Sequence, residues 1–221
     1  MPTSAPVHIT QMIQHIMRVE PKSVLDIGVG FGKWGFLCRE YGDIWFNRYE
    51  KSEWTVRIDG CEAFPNYKTP IYDYIYDNIY YGDVSETLDT LPSYDLAILG
   101  DVIEHFDKET GLRLLKKLSQ KCNYVLMSSP TSFFGQNSDL DQNPFEEHKC
   151  LWTIKDLAGY NFDYDEFEDY IFVALIDCKK SGLVTNRQRA SSKLAYSITP
   201  FRRRPKLVAL AKSVFNKLPI S

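Results

Sequence analysis

The residues best suited to chemistry are a run of glycines and a scatter of acids and histidines. Val24-Leu25-Asp26-Ile27-Gly28-Val29-Gly30-Phe31-Gly32 reads as a buried strand entering a glycine-rich turn. Glycines there permit positive φ and let a ligand approach the backbone closely. The spacing is G-x-G-x-G; the third glycine of the dinucleotide pattern G-x-G-x-x-G would fall at Lys33. Asp26, two residues before Gly28, is placed to help receive an ammonium group rather than a diphosphate. Glu62 closes the next strand in Asp59-Gly60-Cys61-Glu62 and can accept from both hydroxyls of a ribose. Asp83 follows a third strand in Tyr81-Gly82-Asp83-Val84; it can accept from an exocyclic adenine amine while the Val84 N–H serves a ring nitrogen. Any one of these acids could be a solvated loop residue. Three at successive strand ends describe a ligand with a cation, a sugar and a purine.

That description fits S-adenosylmethionine. The motifs VLDIGVGFGKWG, IDGCE, YGDVSE, YDLAILGDVIEHF and YVLMSSP resemble those of the class I S-adenosylmethionine-dependent methyltransferases. Within that class, D-x-x-E-H at Asp101 to His105 is similar to the small-molecule branch related to ubiquinone and menaquinone biosynthesis enzymes. The resemblance covers roughly residues 7–178. It implies a seven-stranded sheet and methyl transfer by in-line attack on the sulfonium. One departure is the charged, aromatic segment Asp43 to Trp54, which moves Glu62 further from Gly28 than is usual in nucleotide-binding sheets.

Methyl transfer needs alignment, and a base when the nucleophile carries a proton. His105 and His148 are the candidate bases, both following strands and both of the residue type poised near neutral pH. Their plainer roles are a helix cap for His105 and an ordinary surface residue for His148. Asp101 and Glu104 can position the cofactor's methionine end or the acceptor. The loop from Ser132 to Cys150 is long enough to be a lid. In it, Asn143-Pro144-Phe145-Glu146-Glu147-His148, followed by Trp152, reads as a lid or acceptor wall, with Glu147 and Trp152 the residues taken to face the acceptor. A magnesium site from Asp101, Glu147 and His148 lacks tight ligand spacing, so no metal is expected. A base-methylating [DNS]-P-P-[YF] motif is missing after the fourth strand, and no Pro-Cys pair offers a nucleophile for cytosine chemistry. The expected acceptor is a hydroxyl on a small molecule, glycan or lipid-linked intermediate. The alternatives are an RNA methyltransferase and a catalytically silent cofactor-binding partner subunit.

The elements that must hold these residues alternate. A helix spans 7–20, strands occupy 23–27, 55–61, 79–81, 94–99 and 124–128, and helices follow at 34–41 and 108–120. In the latter, capped by Asp107, the pattern turns Leu112, Leu115 and Leu118 inward. A short helix capped by Thr153 precedes two closing strands near 162–167 and 170–178, expected to be antiparallel to each other. Alternation of this kind gives a doubly wound, Rossmann-like, mostly parallel sheet whose ligand sits beyond the carboxyl ends of the strands. The tyrosines at 72, 74, 76, 80 and 81, interleaved with isoleucines, read first as packing.

The 221 residues have the composition of an ordinary folded domain, 44% hydrophobic and 25% charged. No apolar run approaches the ~20 residues of a membrane span, and the polar start carries no apolar signal core. Five scattered cysteines without a C-x-x-C pair fit a reducing compartment, so a cytoplasmic protein is expected. Charge is divided: residues 1–177 hold 15 Lys/Arg and all 29 Asp/Glu, whereas 178–221 hold 11 Lys/Arg and no acid. The reading is therefore a domain at 1–178 and a basic amphipathic tail at 179–221. Leu207, Leu210, Ala211, Val214 and Leu218 share one helical face of that tail. Through 201–218 it could lie on an anionic membrane, at the inner face; self-contact or a homo-oligomer ranks second, and nucleic acid last.

Overall fold

The structure, a computed structural model, describes residues 3–4, 6–132, 143–167 and 170–186. The apolar face of Ile9–Val19 (α1) buries Met12 and Ile16, and the helix stops where Glu20 turns left-handed ahead of Pro21. Pro21 cannot continue the helix, and the chain then enters Ser23–Ile27 (β1), buried from Val24 onward. Lys33–Gly42 (α2), Arg57–Glu62 (β2), Pro70–Ile75 (α3), Asn78–Tyr81 (β3) and Val84–Thr87 (α4) follow. The chain continues through Tyr94–Gly100 (β4), Lys108–Lys121 (α5), Cys122–Pro130 (β5), Phe162–Phe167 (β6) and Ile171–Asp177 (β7).

These strands form one seven-stranded sheet in the order β3-β2-β1-β4-β5-β7-β6. The first five are parallel; β7 pairs antiparallel with both β5 and β6. The order reverses between β1, which runs out toward β2, and β4, which continues the other way. Such a reversal opens a crevice at the carboxyl ends. The expected fold is the observed one.

Each face of the sheet carries a core. Leu25, Ile27, Ala97 and Leu99 pack under Leu114, Leu115 and Leu118 of α5. Val24, Ile58, Leu96 and Ile98 pack under Met12, Ile16 and Trp34. The inward stripe of α5 thus differs from expectation at one place: Leu112 is 40% exposed and Leu114 takes the buried position. Gly111 explains the seating of that helix, since a Cβ there would come within 2.5 Å of Trp152.

The segment between α2 and β2 is clamped by charge. Asp43 accepts hydrogen bonds from Arg39 Nη1 (2.6 Å), Arg48 Nε (2.7 Å) and the Thr55 N–H (2.8 Å). Arg39 also donates to the carbonyls of Val56 and Ile75 and lies 4.2 Å over the Trp54 ring. The tyrosines divide: Tyr72 and Tyr76 are buried, whereas Tyr74 and Tyr81 are exposed. Past β7, Val184 is buried, Arg18 donates to the Leu183 carbonyl, and the Thr185 N–H donates to Asp163, so packing persists beyond residue 178. Residues 187–221, which hold the amphipathic run, lie outside the described residues, as do 133–142 of the long loop. Among the described residues, no helix is long and apolar enough to cross a membrane.

Candidate active site

At the carboxyl ends of β1 to β4 lies a cleft of about 400 Å³. Its floor is the glycine loop. Gly28 and Gly32 have φ of 72° and 93°, values at which any L side chain is strained, and a Cβ on Gly28 would meet Val102 at 2.5 Å. The chain can therefore bend sharply here; Gly28 makes room for Val102 and Gly32 for Ile71, and of the three glycines Gly28 and Gly30 line the cleft whereas Gly32, read in the sequence as a cofactor residue, does not.

Glu62 reaches this loop from β2. One carboxylate oxygen accepts from the Gly30 N–H (2.9 Å) and the other from the Phe64 N–H (2.9 Å). Burial raises its pKa, and the two N–H bonds oppose that. Each oxygen keeps a second lone pair for a ligand hydroxyl. Asp83 caps α4 through the Ser85 N–H (2.8 Å) and lines the cleft beside Val84. Asp101 follows β4 in a left-handed conformation, φ 58°. Ser128 of β5 fixes it twice, its hydroxyl donating to Oδ1 (2.7 Å) and its carbonyl accepting from the Asp101 N–H (3.2 Å). Lys33 shares this end of the cleft and donates to the Ser4 carbonyl (2.6 Å).

Asp26 is placed differently from the ammonium-receiving role read in the sequence. It is fully buried and does not line the cleft. Oδ2 accepts from the Gly35 N–H (3.0 Å) and the Tyr76 hydroxyl (2.6 Å), tying β1 to the first turn of α2. Burial pushes its pKa up to about 7, against the two hydrogen bonds.

The far end of the cleft gathers Glu104, His105 and His148. Glu104 and His105 stand on a single 3-10 turn, Ile103–His105, after β4; His148 comes from the strand-poor stretch before β6. The two imidazoles meet edge to face with centroids 4.9 Å apart. His105 Nδ1 is 3.2 Å from the Glu147 carbonyl oxygen, and His148 Nδ1 is buried without a hydrogen-bond partner. Glu104 Oε2 accepts from Ser129 (3.3 Å), while its buried Oε1 has no partner. Burial, with Asp101 nearby, raises the Glu104 pKa well above the carboxylate range. Burial lowers both histidines, and for His148 the neighbouring His105 adds to it. Both imidazoles are therefore neutral at neutral pH.

Two expected wall residues are not in the wall. Trp152 is buried in the core, its Nε1–H donating to the Ile103 carbonyl (3.1 Å) with Lys108 over its ring. Glu147 is exposed and offers only its carbonyl, while the cleft takes Glu146, which accepts from Tyr67 (2.9 Å) and Asn143 (3.0 Å). Sequence reasoning missed Tyr67 and Lys33, chose Glu147 over Glu146 within the loop stretch, and named Glu104, His105 and His148 singly without joining them; for the cluster, the signal was that both histidines and Glu104 follow neighbouring strands.

No known family model matches the sequence, and no curated protein matches it by sequence. Solved structures do match in fold. A cyclopropane-fatty-acyl-phospholipid synthase-like protein from Lactobacillus casei shares 12% identity over 80% of this chain and 96% of its own, with a TM-score of 0.50. Human N-acetylserotonin methyltransferase, solved in complex with SAM, shares 16% identity over 77% of this chain and 51% of its own, with a TM-score of 0.53. An O-methyltransferase family protein from Burkholderia thailandensis shares 10% identity over 76% of this chain and 55% of its own, at 0.51. This chain thus spans about half the length of the last two. At these identities the likeness establishes the fold, a Rossmann-like sheet with an antiparallel β5-β7-β6 end.

Proposed function

We propose that the chain is an S-adenosylmethionine-dependent methyltransferase acting on a hydroxyl of a small-molecule, glycan or lipid-linked acceptor. The observation that carries this reading is the single cleft joining the glycine loop to Glu62, Asp83 and Asp101, each from a separate strand end. Glu62 receives the ribose hydroxyls, Asp83 the adenine amine, and Val84 a ring nitrogen. Asp101 takes over from Asp26 as partner of the ammonium, and Lys33 is placed for the carboxylate. Asp26 serves by positioning the loop.

The acceptor lies toward His105 and His148. S-adenosylmethionine held by Glu62, Asp83 and Asp101 would supply a methyl group on a sulfonium to the acceptor oxygen and would leave as the neutral thioether S-adenosylhomocysteine. A neutral imidazole takes the hydroxyl proton. The lowered imidazole pKa values keep that base free, so the acid limb of the kcat/KM profile is expected below the ordinary histidine value.

Calorimetric titration of the full chain with S-adenosylmethionine tests the cofactor, and an acceptor screen read by a mass gain of one methyl tests the reaction. Saturable binding and S-adenosylhomocysteine release support the reading; binding without turnover on any acceptor favours a silent subunit, and no binding removes it. The basic segment 201–218 supports, from its sequence alone, attachment to an anionic membrane surface that would bring the domain to lipid-linked acceptors. Co-sedimentation with anionic vesicles, with and without residues 187–221, tests it; equal partition of both forms would remove the idea.

A further inference from the structure

Glu104, His105 and His148 each offer one ligand atom, and the three atoms lie within 4.8 Å of one another. We propose that they form a divalent-cation site at the acceptor end of the cleft. Three observations carry it together. The donor set is one carboxylate, which releases its proton to solvent as the cation binds, and two imidazoles, converging from a 3-10 turn and a loop that are 42 residues apart in the Glu147 to His105 contact. The carboxylate is 1% exposed, lines the cleft, and leaves Oε1 without a hydrogen-bond partner. A buried oxygen left in that state is costly, and a ligand would recover that cost. Finally, His148 Nδ1 is likewise buried and unpartnered, while His105 Nδ1 faces the Glu147 carbonyl. An Nδ1–H donated to a carbonyl leaves Nε2 as the lone-pair nitrogen, the outer hydrogen bond that metal-bound imidazoles commonly make.

Bonds of about 2.0–2.2 Å to a cation bring ligand atoms within roughly 3–4 Å of one another, so the cluster must contract by about an ångström. Two nitrogens and one oxygen favour zinc, ferrous iron, cobalt or nickel over magnesium or calcium, whose preferred shells are all oxygen. Three protein ligands also leave a coordination position open to the cleft. What the cation would do there rests on the methyl-transfer reading: an acceptor hydroxyl bound at the open position loses its proton to solvent more readily and attacks as an alkoxide-like oxygen. The imidazoles are then ligands rather than proton acceptors. Whether the cation binds does not depend on that reading.

The test uses the full chain, stripped with a chelator and titrated with Zn²⁺ by calorimetry and with Co²⁺ by visible absorption. One equivalent is expected to bind, with Co²⁺ bands typical of nitrogen and oxygen donors. His148→Ala, a change in a partly exposed loop residue, and His105→Asn are each expected to weaken binding by more than about tenfold. Glu104→Gln is expected to do the same, and circular dichroism shows whether each variant is folded. No saturable binding, or binding unchanged in His148→Ala, overturns the site. A parallel titration with S-adenosylmethionine separates the two claims: cation bound without cofactor leaves the site standing and the methyltransferase reading fallen, and the reverse removes the site alone.

Discussion

Two buried clusters of ionisable side chains stand at opposite ends of the sheet. At the start of β2, Asp43 is enclosed by Arg39, Arg48 and the Thr55 N–H, and Arg39 is in turn used by two carbonyls. Although burial works to raise it, those hydrogen bonds hold the Asp43 pKa below its ordinary value. Past the end of β4, Glu104 is buried as deeply, yet its neighbours are Asp101 and two neutral imidazoles, and one of its oxygens has no partner. In the first cluster the carboxylate is met by two guanidinium groups, although Arg39 Nε is itself buried without a partner. In the second, no cation meets the carboxylate. Burial alone does not separate a structural ionic cluster from a functional one; whether a cationic partner meets the buried carboxylate does.

The comparison can be broken most directly at Asp43. Asp43→Ala leaves the buried Arg39 with only its longer, 3.4 Å contact to Asp77 as a carboxylate partner, and a loss of about 3 kcal/mol is expected, or roughly 10 °C in melting temperature. A shift of only a degree or two would mean that the clamp is not structural. Asp26 gives the next effect. Its folded pKa, raised to about 7, means that the native state binds a proton which the unfolded state has already released. Its contribution is therefore complete below pH ~4 and is lost as pH rises toward 7, on the order of 4 kcal/mol in all. Asp26→Asn, which can still accept from Tyr76 and Gly35, is expected to flatten that slope in chemical unfolding measured from pH 4 to 8; an unaltered slope would contradict it.

Smaller effects sharpen the functional side. Glu62→Gln exchanges a charged acceptor for a neutral one at the ribose position and is expected to weaken S-adenosylmethionine binding by about tenfold, read by calorimetry. Equal affinity would move the ribose elsewhere. The smallest loss is expected from Glu104→Gln. With no cationic partner to strand and a carboxyl that burial already holds protonated, the change should not lower the unfolding free energy at neutral pH, in contrast to Asp43→Ala. A loss as large as that of Asp43→Ala would place Glu104 among the structural charges.

The sheet was largely legible in the sequence because its signals are local. β1 and β6 occupy the residues that the apolar and β-branched runs marked, and Asp107 caps α5 through the Thr110 N–H as its position implied. That the glycine loop, Glu62, Asp83 and Asp101 stand at strand ends beside one cleft was equally readable, since each follows a strand. What failed was whatever depended on the direction a side chain takes after the loop has folded. Trp152 looked like an acceptor wall but satisfies its indole N–H on Ile103 inside the core. Glu146, not Glu147, turns into the cleft, a difference of one residue in an irregular stretch. Asp26 kept its place in the chain but turns one carboxylate oxygen to Tyr76 and Gly35, and Tyr76 is 50 residues away. Periodicity holds no information on pairings of that span.

The insertion of β7 between β5 and β6 has a consequence for how the polypeptide leaves the ribosome. Until Ile171–Asp177 emerges, β5 has one unpaired edge and β6 has no strand to lie against. An apolar edge held open during synthesis invites pairing with other nascent chains. Any truncation ahead of residue 171 should thus yield aggregated material rather than a smaller working domain.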